Sequence, residues 1–119
     1  MKTEIIPFNG TNIAVITSDE ILIRTTQDAL DIMADCGYQG ADRILLHQRN
    51  LIPAFFDLKT GIAGDILQKF SNYRAKLAIV GDFTEVESKS LRDFIRESNR
   101  LGRVVFVATP EEAMEKLAK

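Results

Sequence analysis

Apolar positions along this chain follow two rhythms. Short, continuous, β-branched-rich runs bounded by turn residues occur at 12–17 (NIAVIT), 43–47 (RILLH), 77–80 (LAIV) and 104–107 (VVFV). Each predicts a strand, and the all-apolar runs suit a sheet covered on both faces. Residues 4–6 predict a further short strand, ended by Pro7 and Asn9-Gly10. Ser18-Asp19 carries turn chemistry, and 21–23 (ILI) is expected to pair back as a hairpin partner. The second rhythm is helical. Leu30, Met33, Ala34 and Gly37 recur at helical spacing, with Ala29 and Ile32 alongside. Thr25 with Asp28 three residues later forms a capping signature, and Gly37 reads as the left-handed stop. Pro53 opens a turn of helix over 53–56. Thr60 caps a helix from about Gly61, where Ala63, Ile66, Leu67 and Phe70 share a face. Ser88 or Ser90 caps a third helix, with Leu91, Phe94, Ile95 and Ser98 on one face and Gly102 at its end. Thr109-Pro110-Glu111-Glu112 supplies a cap residue, a first-turn proline and a reciprocal glutamate for the last helix.

Strands alternating with helices imply crossover connections and a mainly parallel sheet, with the early strands adding an antiparallel or mixed edge. The expected fold is a three-layer α/β domain with a mixed sheet of four or five strands and four helices. Length sets the scale: 119 residues suffice for one domain, 1–119, with one sizeable core. Hydrophobic residues at 45% and charged residues at 27% fit a soluble globular protein and exclude disordered and collagen-like classes. Fifteen basic against seventeen acidic residues give a net charge of −2, so no global field attracts nucleic acid or anionic lipid. The start of the chain lacks a signal-peptide pattern, and the longest uninterrupted apolar run, 104–108, is too short to span a bilayer. A single cysteine, Cys36, cannot form an internal disulfide, and a cytoplasmic location is expected.

Chemistry-bearing residues are sparse. In open α/β sheets ligands sit beyond the carboxyl ends of the strands. That edge collects His47, Asp82 and Thr109, and His47 with Asp82 would form an acid–base pair if their strands were neighbours. No clear nucleophile accompanies them, and a lone strand-end histidine is more often structural. Residues 60–64 place small residues at a helix start, where backbone N–H groups and the helix dipole favour an anion, with Lys59 as a nearby cation. The plainer reading is a capped helix start. One histidine and one cysteine do not make a zinc site, and no metal or cofactor is expected. Lys89, Arg92, Arg96, Arg100 and Arg103 form a basic series, but Asp93 and Glu97 interleave and neutralise it. Phe94 is the one aromatic residue within it, which argues against single-strand nucleic-acid binding. A receiver-type phosphoacceptor domain would need a lysine after the last strand, where Thr109-Pro110 stands.

Three segments resemble STAS domains, the family of anti-anti-sigma factors and sulfate-transporter tails. SDEILIRTTQDALDIM is similar to that family's strand-turn-helix opening. DLKTGIAGDIL (57–67) is similar to its D-S-[ST]-G-L-x-x-L loop, and VVFVATPEEAMEKL to its last strand and helix. More closely, FFDLKTGIAG, LAIVGDF and SLRDFI resemble a bacterial family known as domain of unknown function 4180. The STAS resemblance implies a regulatory, non-enzymatic module whose protein partner binds at Asp57, Lys59, Thr60, Gly61 and Gly64. A second copy of the chain is among the candidate partners; nucleic acid and membrane insertion are not expected. With Gly61 on the family's glycine, Lys59 stands where that family has its phosphorylated serine, and Asp57 sits one residue early. Two alternatives stand beside this reading. One is a small-ligand or lipid site entered past Phe55, Phe56 and Leu58. The other is a small enzyme using His47 and Asp82.

Overall fold

The computed structural model covers residues 1–119. Five strands form one sheet in the order β1-β2-β3-β4-β5: β1 (Lys2–Phe8), β2 (Thr11–Thr17), β3 (Arg43–His47), β4 (Lys76–Val80) and β5 (Val104–Val107). The β1–β2 pair is antiparallel and the other pairs are parallel, so the sheet is mixed with an antiparallel edge. Four helices complete the chain: α1 (Thr26–Tyr38), α2 (Ile62–Asn72), α3 (Lys89–Leu101) and α4 (Pro110–Leu117).

Strand alternation builds the layers. Ala14, Ile16, Ile44, Leu46, Leu77, Ile79, Val104 and Phe106 point to one face, where Ala29 and Cys36 of α1, Ala63, Ile66 and Phe70 of α2, and Phe94 and Ile95 of α3 cover them. Ile13, Leu45, Ala78, Val80, Val105 and Val107 point to the other face, covered by Ala113 and Leu117 of α4. The result is three layers: three helices, the sheet and one helix. Each fully buried Ile, Leu or Phe side chain contributes about 1.5–3 kcal/mol. The carbonyls at the end of α4 are met by Arg43, which donates to the carbonyls of Leu117 and Lys119.

Three local readings need correction. The hairpin is β1–β2, turned by Asn9-Gly10 at φ 50° and 79°, both in the left-handed region that a two-residue turn requires. Residues 21–23 make no hairpin; Ile23 instead forms a single parallel bridge to Leu51. Pro7 does not end β1. Phe8 and Thr11 close the tight turn as a hydrogen-bonded pair, so alternation points the Pro7 nitrogen to the open edge, where a missing N–H costs no ladder bond. Gly37 does not stop α1. The helix runs to Tyr38, and it is Gly40 that adopts the left-handed conformation, at φ 95°.

Other sequence signals match the structure. Thr25 Oγ1 accepts from the Asp28 amide at 3.1 Å while Asp28 accepts from the Thr25 amide at 3.2 Å. Ser88 is the cap of α3, accepting from the Leu91 amide. At the far edge of the sheet, the Asn99 carboxamide accepts from the Phe106 amide at 2.7 Å and donates to its carbonyl at 3.2 Å. Asn99 thus stands in for a sixth strand, as Pro7 blunts the opposite edge.

Candidate functional site

Because β2 to β5 run in the same direction, the residues after each strand gather along one rim. The strand order never reverses, so the crevice that a reversal opens in doubly wound sheets does not arise here. The rim is instead closed by polar locks. The first is Asn50, which is wholly buried. Its amide donates to the carbonyls of Ser18 and Glu20, both at 2.9 Å, and its carbonyl oxygen accepts from the His47 amide at 2.9 Å. One side chain therefore ties the end of β2 to the end of β3. Arg49 adds a bond from its Nε to the Ser18 carbonyl at 3.1 Å.

His47 and Asp82 follow neighbouring strands, with His47 in register with Val80. No hydrogen bond joins their side chains. Asp82 Oδ1 accepts from the amide and hydroxyl of Thr84, at 3.1 and 2.6 Å, and these bonds hold its carboxyl below its ordinary value. His47 Nδ1 is buried without a hydrogen-bond partner. Burial first, and the nearby Arg49 second, hold the imidazole below its ordinary value. Between the two, a Cβ on Gly81 would lie 2.5 Å from Gln48 Oε1 and 3.0 Å from Phe83 Cζ. Gln48 and Phe83 therefore close over this glycine, and a side chain there would force them to shift. Thr109 is also committed: its hydroxyl accepts from the Glu112 amide at 3.1 Å, and Glu112 reaches back to the Ala108 amide at 3.0 Å.

The segment 57–64 has a different character. Short helical turns at Pro53–Phe56 and Leu58–Thr60 lead to Gly61, which caps α2 at φ 78°. The Thr60 hydroxyl shares its proton between the carbonyls of Ala54 and Asp57, both at 2.8 Å, and accepts from the Ile62 amide at 3.3 Å. Asp57 Oδ1 accepts from the Lys59 amide at 3.2 Å. The loop is thus held by its own bonds while Asp57, Lys59, Thr60, Gly61 and Gly64 remain exposed, with Asp65 beside them. A Cβ on Gly64 would meet nothing within 4 Å.

Phe55 does not line an entry. It is buried, stacks edge-on against Phe56 at 4.9 Å and lies 6.3 Å from Phe106. Phe83 and Phe94 complete this aromatic group around Phe106. Phe56 alone of the pair borders a shallow groove of about 320 Å³, shared with Ile21, Gln48, Arg49, Leu51 and Pro53. Cys36 is buried and its thiol is pushed up to about 11, by burial first and by Asp35 second. No group of three or more His, Cys, Asp and Glu side chains converges on a point where a metal ion would sit. No helix is long and apolar enough to cross a membrane.

The fold is thus a three-layer α/β class with a five-strand mixed sheet. Within it, residues 8–117 match the family model described as Domain of unknown function (DUF4180), and the chain belongs to that family. No curated protein and no solved structure matches the chain.

Sequence reasoning passed over Asn50 and Asn99, the two side chains that do most to fix the sheet's ends and edge. Asn50 had a usable signal: an asparagine three residues past a strand and directly before an apolar residue. Asn99 lies on a charged helix face with no such marker.

Proposed function

We propose that this chain is a non-enzymatic regulatory module that binds a protein partner through the 57–64 loop and the exposed start of α2. The observation that carries the reading is the contrast within the rim. His47 abuts the Asn50 lock, and Thr109 and Asp82 are spent on local bonds. The 57–64 loop is pre-ordered and faces outward. Pre-ordered exposed segments lose little entropy when a partner binds. Asp57, Lys59 and Asp65 supply charges of both signs, which set partner choice more than affinity.

A tagged chain used as bait against extract of its own source cells tests this reading. The wild type should capture a defined protein, while Gly64→Arg and Thr60→Glu should lose it. Gly64→Arg is the cleaner variant, because its new side chain enters open space. If both variants hold the captured protein as well as the wild type does, the surface lies elsewhere.

A further inference from the structure

We propose that the groove between α1 and the end of α2 is a docking site for a basic amphipathic helix of a partner protein. The groove has a volume of about 480 Å³. It lies at the opposite end of the sheet from the 57–64 loop, since it reaches Ala41 and Asp42 before β3 and Tyr73 and Ala75 before β4. It is therefore a second surface, independent of the reading above.

Leu30, Ala34 and Gly37 of α1 line it at steps of four and three residues, along about two turns of the helix. Met33 and the largely exposed Tyr73 supply further apolar surface. Gly37 is unusual here. It sits inside the helix with no left-handed backbone, and a Cβ on it would meet nothing within 4 Å. Glycine weakens a helix relative to alanine, and no packing within this chain offsets that. An approaching helix backbone would use the space, as small residues let helices pack closely.

Charge selects the occupant. Helix α1 carries Asp28, Asp31 and Asp35 and no lysine or arginine. Asp31 borders the groove and accepts only from Gln27; Asp35 accepts only from Gln39. Neither has a cationic partner, and Asp35 lies at the helix end where the dipole is already negative. Asp42, at the groove's end, is paired with Arg43 at 3.6 Å, so Asp31 is the groove-lining carboxylate left without a cation, with Asp35 on the same helix. Arg74 follows Tyr73 but does not line the groove. A two-fold contact through this face would set α1 against its own acidic copy, which disfavours a second copy of this chain. The chain's own basic series on α3 is engaged at home, with Lys89 and Arg96 on Asp93, Arg100 on Glu97, and Arg92 on the carbonyls of Val86 and Glu87. A foreign helix with an apolar face flanked by lysine or arginine fits both the shape and the charge.

The probe is a fluorescent leucine–lysine helical peptide of about 15 residues, compared with a leucine–glutamate peptide of the same apolar pattern. Anisotropy titration of the full chain should show the basic peptide binding at least about tenfold more tightly than the acidic one. Gly37→Gln, which fills the open space with a helix-compatible side chain, should weaken it about tenfold or more. Asp31→Asn with Asp35→Asn should weaken it and flatten its salt dependence, while Thr60→Glu should leave it unchanged. Equal binding of the two peptides, or unchanged binding by Gly37→Gln, overturns the proposal. So does self-association in sedimentation that Gly37→Gln abolishes, because the occupant is then a second copy.

Discussion

The two ends of the sheet are built on opposite plans. At the carboxyl ends of the strands, polar side chains are consumed by their own neighbours: Asn50 clamps β2 to β3, Thr109 caps α4, and Thr60 locks the 57–64 loop. At the other end, a groove lined by Leu30, Met33, Gly37 and Tyr73 is left open, and its bordering Asp31 carboxylate is without a cation. The comparison teaches that residues with recognisable motifs are often those a fold has already used. The groove, with capacity unspent, carries no such motif.

Substitutions sharpen this contrast. The largest effect is expected at the core beneath the rim, where Phe55→Ala should cost about 3–5 kcal/mol in urea unfolding, since the ring is buried among Phe56 and Phe106. Asn50→Ala comes next, at about 2–4 kcal/mol, because two carbonyls and one amide at the strand ends lose a buried partner. A cost below about 1 kcal/mol at Asn50 would mean the rim is not clamped there. Thr60→Val should cost about 1 kcal/mol, the worth of an exposed loop's own bonds. At the open end the sign reverses: Gly37→Ala should stabilise the chain by about 0.5–1 kcal/mol, as helix propensity improves and nothing is crowded.

The smallest effect is one of pH. Burial and Arg49 lower the His47 value in the folded chain, so the unfolded chain takes up the proton more readily. The stability this gives is present in full above the ordinary histidine value of about 6.5 and declines as the pH falls through it. The urea midpoint of the wild type should therefore drop more between about pH 7 and pH 5 than that of His47→Gln. An identical drop in the two would detach His47 from the rim's acid response.

Much of the fold was legible in the sequence because local signals agreed with one another. The capping pairs at Thr25 and Thr109 and the runs RILLH, LAIV and VVFV each point to a single element, and each forms. The errors have physical causes. Pro7 reads as a strand breaker unless its nitrogen faces an open edge, and edge position is a property of the whole sheet. On α1 the helical spacing is right, but spacing alone does not say which apolar positions are covered. Leu30, Ala34 and Gly37 recur at helical spacing as a core face would, yet the buried positions are Ala29 and Cys36. Periodicity reports an apolar face without saying whether the chain itself covers it. At the rim, sequence pattern could collect His47 and Asp82 on adjacent strands, but the bonds from Thr84 that occupy Asp82 depend on a loop conformation no spacing rule encodes.

The central claim, that the 57–64 loop and the first turn of α2 form the partner surface, is most directly tested by placing a photo-crosslinking residue at exposed Asp65 and, separately, at exposed Glu115 on α4. Irradiation in the source cells should give one discrete adduct from position 65, absent in the Gly64→Arg background, and none of that mass from position 115. The same adduct from both positions, or one from position 65 that survives Gly64→Arg, would contradict the account.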